Sequence, residues 1–257
     1  MSAATLARLL LVPAAVWLAS LAARRWGHRV SGYLGGMPMI GGPITLFLAL
    51  DHGGEFAARS AVYTAAAVAA QCAHLTAFAY ASRRLRWPGA LAAGWASFAA
   101  VAFLVAWAAP TLPWAALLAY GSLAAAWLVL PHPQHAATLP AVPRMELRLR
   151  LVAAFALAAA ILWAAANFGP VVSGVMLSLP VTGSIMPPFT LALYGADSVA
   201  RLMRGFVAGL TGFTSFFLVL AWEPGGIGMT FGLAVAAALA ALFVASRVPG
   251  IGRRQAA

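Results

Sequence analysis

Charged residues occur only in short clusters in this chain, and the stretches between them are apolar and as long as membrane crossings. All 16 basic residues other than histidine are arginines, and they stand beside only 5 acidic residues. Soluble domains are roughly 25% charged, so a chain with 8% charged and 63% hydrophobic residues cannot cover a water-exposed globular surface. A lipid-facing surface needs no charge. The pattern therefore excludes a water-soluble fold and predicts an all-α polytopic membrane protein.

Nine apolar stretches are long enough to cross a bilayer core of about 30 Å as helices. They are Thr5 to Ala23, Val30 to Leu50, Phe56 to Ala81, Pro88 to Ala109, Leu112 to Leu130, Leu149 to Ala166, Val171 to Tyr194, Val199 to Ala221 and Ile227 to Ala245. If the first connection is cytoplasmic, all of the arginines except Arg8 and Arg59 lie on the cytoplasmic side. This asymmetry follows the positive-inside rule, so we predict the N-terminus outside and the C-terminus in the cytoplasm.

The arginine distribution also bears on the partners of the chain. A net charge of +11 is compatible with nucleic-acid binding, but orientation in the membrane explains arginines that sit between membrane spans. We therefore predict membrane lipid as a partner and no nucleic acid. The sequence leaves the oligomeric state unknown.

The first apolar stretch has an alternative interpretation as a cleavable signal peptide, because Arg8 precedes an apolar run and small residues. Two features favour a retained helix. The pair Arg24 and Arg25 follows at once, and the stretch has a counterpart in an internal repeat.

The internal repeat joins two distant parts of the chain at a constant offset. Val30-Ser31-Gly32 recurs 142 positions later as Val172-Ser173-Gly174. At the same offset Pro38, Gly41, Phe47, Gly53, Ala58 and Arg59 match Pro180, Gly183, Phe189, Gly195, Ala200 and Arg201. Apolar composition alone does not produce matches on Gly, Pro, Ser and Arg, so we interpret them as a repeat.

The repeat predicts the domain organisation. Residues 1–109 hold the first four helices, residues 110–143 a linking helix with a cytoplasmic loop, and residues 144–257 the second four helices. Because one helix separates two units of four, the second unit enters the membrane in the opposite orientation. Two inverted four-helix repeats are the plan of many secondary transporters.

Glycine and proline interrupt one predicted helix in each unit. The stretch Val30 to Leu50 contains two Gly-Gly pairs and two prolines, and Val171 to Tyr194 contains Pro180, Gly183 and Pro187-Pro188. Each proline removes a backbone donor and clashes with the preceding turn, so both helices are predicted to be broken. The alternatives are kinked helices whose small residues permit close packing, and a re-entrant hairpin, which conflicts with the arginine distribution.

Paired broken helices expose unpaired backbone groups toward a cavity and so indicate a transport site. We predict a solute site at the small and polar residues of the two stretches: Ser31, Gly32, Pro38, Gly41, Ser173, Gly174, Pro180, Thr182, Gly183 and Ser184. Hydroxyl groups there either replace lost backbone hydrogen bonds or meet a ligand.

Acidic and basic residues follow each broken helix. Glu55 stands four residues before Arg59, and Asp197 four residues before Arg201. One hypothesis makes them gate pairs at the two entrances, bridged across a helical turn, with Asp51 or His52 available for proton coupling. The alternative makes them caps at solvated helix starts.

Gln71 and His74 lie on a similar face of the third helix, well inside its apolar stretch. Polar residues in a membrane are costly and usually face a cavity or the interior of a helix bundle. These two are predicted either to couple transport or to hydrogen-bond a neighbouring helix.

Motifs for other chemistry are missing from the sequence. No Walker loop, dinucleotide fingerprint, HExxH or nucleophile elbow occurs, and the single Cys72 excludes an intramolecular disulfide. His132 and His135 are too few for a zinc site. We therefore predict no enzyme activity, no cofactor and no metal.

The order Val30-Ser31-Gly32, Pro38, Asp51, Gly53, Glu55 and Arg59 resembles the core of the GlpM family of small bacterial inner-membrane proteins. Those proteins are about as long as one unit here, so the chain resembles a fused, inverted pair of them. The second copy has Leu193 opposite Asp51. The resemblance implies a location in the bacterial inner membrane, and it carries no molecular activity.

Three function classes remain. A secondary transporter of a small polar or anionic solute explains the inverted repeat and the broken helices. A non-transporting scaffold or accessory subunit of an envelope or polysaccharide pathway explains the apolarity and short loops. An intramembrane enzyme or a lipid-carrier flippase is the third class, because acids and arginines near both interfaces can contact phosphate headgroups.

Overall fold

The computed structural model describes residues 32–133, 144–223 and 225–247. Every regular element in these ranges is a helix. Six of their helical stretches are long and apolar enough to cross a membrane: Gly32–His52, Gly54–Ala81, Trp87–Trp107, Leu112–Val129, Asn167–Trp222 and Ile227–Arg247. The chain is therefore an all-α, multi-pass membrane protein.

Eight helices follow one another in these ranges, after a helical turn of residues 32–36. They are α1 (Gly41–His52), α2 (Gly54–Ala66), α3 (Val68–Ala81), α4 (Trp87–Trp107), α5 (Leu112–Val129), α6 (Arg144–Leu177), α7 (Val181–Trp222) and α8 (Ile227–Arg247). Prolines stand in the first turns of α4 and α5, where the missing N–H costs nothing.

One predicted helix lies outside the described residues, and two predicted boundaries fall at bends inside longer helices. The stretch Thr5 to Ala23 lies outside the described residues. The stretch Leu149 to Ala166 lies in α6, which bends at Gly169 (φ 77°, ψ −170°) before the next predicted stretch begins, and the stretches Val171 to Tyr194 and Val199 to Ala221 meet at a bend at Gly195 inside α7. Gly195 alone changes the direction of the chain in α7, and the spacing of apolar residues does not predict a bend at a single residue. The count of nine helices stays a prediction.

Two long helical stretches form the centre of the bundle. In the most apolar segment of Gly54–Ala81, 78% of the residues are buried, and in that of Asn167–Trp222 67% are buried. In α8 it is only 17%. The peripheral helices α4 and α5 expose large apolar side chains such as Trp107 and Leu128, as surfaces that face lipid do.

The C-terminal end of α5 is held by one side chain from each central stretch. The Tyr80 hydroxyl donates a hydrogen bond to the Val129 carbonyl oxygen at 2.7 Å. Arg204 Nη1 donates to the Leu130 carbonyl oxygen at 2.9 Å, and its guanidinium lies 4.4 Å from the centroid of the Trp127 ring. The last carbonyls of a helix have no intrahelical partner, so these contacts fix the end of α5.

We expect the substitution Arg204→Met to lower the free energy of unfolding by about 1.5–3 kcal/mol, since it removes a charge-assisted hydrogen bond from a helix end. Arg83→Met is the matched control, because Arg83 is exposed in the turn after α3 and such changes cost about 0.5 kcal/mol or less. Thermal unfolding of the purified protein in detergent measures both. Equal melting temperatures for the two variants would contradict the role given to Arg204.

Candidate functional site

Helices are interrupted in both of the stretches that the glycines and prolines mark. Residues 37–40 separate the helical turn 32–36 from α1, and residues 178–180 separate α6 from α7. The interruptions are shorter than the proline pattern predicts. Pro43 lies in the first turn of α1, while Pro187 and Pro188 lie inside α7.

The prolines inside α7 leave backbone carbonyls without their usual partners. In an α-helix the N–H of each residue bonds to the carbonyl four positions earlier, and proline has no N–H. Pro187 therefore leaves the carbonyl of Gly183 without an intrahelical donor, and Pro188 does the same for Ser184.

Gln71 and His74 of α3 hydrogen-bond to this second interruption. Gln71 Nε2 donates to the Ser178 carbonyl oxygen at 2.8 Å, and His74 Nε2 lies 3.2 Å from the Gly183 carbonyl oxygen. Both side chains are buried. A carbonyl oxygen only accepts, so this contact requires the proton of a neutral His74 ring on Nε2. The geometry matches the predicted alternative of bonding to a neighbouring helix.

The surroundings of His74 show how tightly the ring is held. A Cβ atom at Gly94 of α4 would lie 2.9 Å from His74 Nδ1, so only a glycine leaves space for the ring. The ring of Trp95 lies edge-to-face with the ring of His74, and their centroids are 6.0 Å apart. His74 Nδ1 is buried and has no hydrogen-bond partner.

The first interruption packs against aromatic rings instead. A Cβ atom at Gly41 would lie 3.0 Å from Phe217, and one at Gly42 would lie 3.4 Å from Phe216. Phe213 and Phe216 stand 142 positions after Gln71 and His74. Positions that carry polar side chains at one interruption thus carry phenylalanine at the other.

Each interrupted stretch packs against the long helix of the other half of the chain. A Cβ atom at Gly32 would lie 2.5 Å from the Leu202 carbonyl oxygen and 2.9 Å from Gly205 Cα. A Cβ atom at Gly174 would overlap the Ser60 carbonyl oxygen. Gly174 and Leu202 follow Gly32 and Ser60 by the same 142 positions, so the two contacts are reciprocal.

A glycine with positive φ follows each interrupted helix. Gly53 joins α1 to α2 with φ 92° and ψ 164°, and Gly195 lies inside α7 with φ 76° and ψ −179°. Both values fall in a region that only glycine adopts readily, so the chain bends sharply at both positions.

The predicted hydroxyl ligands bond to their own helices. Ser173 Oγ donates to the Gly169 carbonyl oxygen at 2.9 Å, and Ser184 Oγ donates to the Pro180 carbonyl oxygen at 2.7 Å. Thr182 is half-buried, and its Cγ2 would lie 3.1 Å from a Cβ atom at Gly35 of the first stretch. The two interrupted stretches therefore meet at Gly35 and Thr182. Ser31 lies outside the described residues.

The proposed gate residues lie near the two glycine bends. The group around the first bend is exposed, and His52 stacks on Phe56 at a centroid distance of 4.7 Å. This exposed group comprises Asp51, His52, Glu55 and Arg59. Asp197 and Arg201 are half-buried, and Arg201 Nη2 lies 3.5 Å from Ser198 Oγ. Their roles as gates stay a prediction.

Sequence reasoning missed two residues that hold the site together. Thr64 Oγ1 donates to the Gly174 carbonyl oxygen at 2.9 Å, which links α2 to the second stretch. Gly94 leaves the space for the His74 ring. The sequence signal for Thr64 is a threonine inside an apolar helix, whereas no local sequence feature indicates the role of Gly94.

Comparison with protein-family models, with curated proteins and with solved structures gives no match for this chain. The resemblance to the GlpM family therefore stays a prediction that rests on the motif alone.

Proposed function

We propose that this protein is a secondary transporter of a small polar or anionic solute, and that the solute binds where the two interrupted stretches meet. The observation that carries the proposal is the contact between Gly35 and Thr182, beside two helix interruptions in the interior of one bundle. Secondary transporters place substrates at such discontinuous helices.

The chemistry at the interruptions favours an anion. The helices α1 and α7 both begin there, at Gly41 and Val181, and helix N-termini carry partial positive charge. The segments 60–82, 87–107 and 151–196 contain no Asp, Glu, Lys or Arg. An anion at the junction of the stretches therefore meets no fixed negative charge from these segments.

Reciprocal packing supports an inverted repeat as the architecture of the transporter. The contacts of Gly32 and Gly174 and the positive φ of Gly53 and Gly195 recur at the offset of the sequence repeat. An isologous arrangement of two like units requires such reciprocity. Inversion across the membrane, with the N-terminus outside and the C-terminus inside, belongs to the proposal because the arginine distribution favours it.

A non-transporting scaffold is the second candidate, and one observation favours it. Glycines bring backbones into direct contact at Gly32, Gly36, Gly174 and Gly209, as in closely packed membrane helices that need not move.

Solute counterflow in proteoliposomes separates the two candidates. The probes are radiolabelled phosphate, acetate, lactate, succinate and glutamate, each trapped at high internal concentration. We expect uptake of at least one anion above that of protein-free liposomes. A scaffold would give no uptake of any probe.

We expect Thr182→Val to reduce that uptake about tenfold or more, because it removes the hydroxyl group of the residue whose methyl group faces Gly35 and keeps the shape of the side chain. The matched control is Thr76→Val, on a half-buried position of α3 away from the interruptions. Both variants should unfold at the wild-type temperature. Wild-type uptake by Thr182→Val would move the solute site away from this contact.

A further inference from the structure

We infer that the two interruptions are not equivalent, and that His74 at the second one binds the proton that is carried together with an anionic solute. The inference rests on the proposed function and adds to it the coupling ion and the residue that binds it.

The first argument is the asymmetry between the interruptions. The fold places Phe216 next to Gly42 at the first interruption and His74 next to Gly183 at the second, with 142 positions between the two aromatic residues. Phenylalanine therefore satisfies the packing at this kind of position. A histidine buried in the membrane is costly, so packing alone does not explain it.

The second argument is the hydrogen bonding of the ring. Nε2 is engaged with the Gly183 carbonyl, whereas Nδ1 is buried with no partner and faces the backbone of Gly94. A neutral ring with the proton on Nε2 keeps a lone pair on Nδ1. That lone pair is the place where one further proton binds, without breaking the bond to Gly183.

The charged groups near His74 determine whether a protonated ring needs a bound anion. Titratable side chains on the packed helices are Cys72 and Tyr80 on α3, Tyr63, Glu55 and Arg59 on α2, Tyr120 on α5, and Tyr194, Asp197, Arg201 and Arg204 on α7, with Glu223 directly after α7. The segments of α3, α4 and α7 that contact the ring contain no acid. Within the described residues, none of these groups forms a hydrogen bond or ion pair with the ring. A buried imidazolium without a counter-charge is unfavourable, so an anion bound at the interruption stabilises it.

The transport step balances in charge and protons. The imidazole binds one proton from water on one side of the membrane and becomes an imidazolium while the anion binds. Both leave on the other side, and the ring returns to its neutral form. A monoanion is therefore carried together with one proton and without net charge.

The substitution His74→Gln tests the inference, because a glutamine amide keeps a donor for the Gly183 carbonyl and binds no proton near neutral pH. The probe is the anion that gives the largest counterflow in wild-type proteoliposomes. We expect the variant to keep counterflow at saturating anion, with a raised half-saturation concentration, to keep the wild-type melting temperature, and to lose at least tenfold of the uptake driven by an acidic exterior. His132→Gln, on an exposed position after α5, should retain both.

The outcomes are distinguishable. If His74→Gln keeps acid-driven uptake at the wild-type rate, the proton site is elsewhere and the proposed transport function stands. If His74→Gln loses counterflow together with acid-driven uptake but stays folded, His74 serves the solute site itself and the coupling role is wrong. If the wild-type protein moves no probe, the proposed function fails and this inference fails with it.

Discussion

Replacement of Gly174 by leucine should strongly destabilise the folded protein. A Cβ atom added to Gly174 would overlap the Ser60 carbonyl oxygen and lie 2.8 Å from the Cβ atom of Tyr63, so the central helices have no space for a side chain between them. Overpacking of a core typically costs about 1–3 kcal/mol and sometimes more, and here the contact joins two backbones that cannot rotate away. We expect a loss of about 3 kcal/mol or more in the free energy of unfolding.

Gly32→Leu should be as damaging, because Gly32 makes the reciprocal contact with Leu202. The matched control is Gly121→Leu on α5, where no atom lies near the position of an added Cβ. Yield of monodisperse protein and the melting temperature measure all three variants. Variants at Gly174 and Gly32 that are as stable as Gly121→Leu would show that the glycine contacts do not hold the two halves together.

A double-mutant cycle should show a strong dependence of the His74 contact on Pro187. His74→Leu leaves the Gly183 carbonyl unpaired and is expected to cost about 1–3 kcal/mol. In a Pro187→Ala background the new N–H of residue 187 can bond to Gly183, so the same substitution should cost less. The expected coupling is about 1 kcal/mol, measured by thermal unfolding of the single and double variants.

Pro188→Ala is the matched control for this cycle, since it supplies a donor to Ser184 and not to Gly183. The effects of His74→Leu and Pro188→Ala should simply add. If those of His74→Leu and Pro187→Ala also add, the His74 contact does not compensate for the missing N–H of Pro187.

Local sequence features predicted the interruptions because their cause is local. Pro38 and Pro180 cannot continue a helix with normal hydrogen bonds, whatever surrounds them. The same argument overstated the disruption at Pro43, since a proline in the first turn of a helix replaces a donor that has no partner anyway. The missing N–H of Pro187 is compensated by His74 through tertiary contact, which no local rule includes.

No local sequence pattern predicts which residues of other helices Gln71 and His74 contact. The sequence placed Gln71 and His74 on one helix face, but two neighbours were equally available to them, a ligand or a helix. Selection of Ser178 and Gly183 depends on how α3 packs against the second interruption. Gly94 is the clearest case, because its role consists of an absent side chain beside a ring from another helix.

The bend at Gly195 is another feature that the apolar pattern of the sequence does not predict. Apolar stretches on both sides of this glycine predict two helices with a connection, whereas the chain makes its bend at one residue with positive φ. Only the match to Gly53 hinted that both positions have the same backbone role. A repeat therefore carried information that composition and periodicity did not.

Accessibility of one matched pair of positions across the membrane tests the central claim, that the two halves are inverted copies. In a Cys72→Ala background, single cysteines replace Asp51 and Leu193, which are exposed and stand at the same place in the two units. A membrane-impermeant maleimide is applied to intact cells and to inside-out vesicles. The account predicts that position 51 is labelled only from the periplasmic side and position 193 only from the cytoplasmic side. Labelling of both positions from one side would contradict the inversion, and with it the proposed architecture of the transporter.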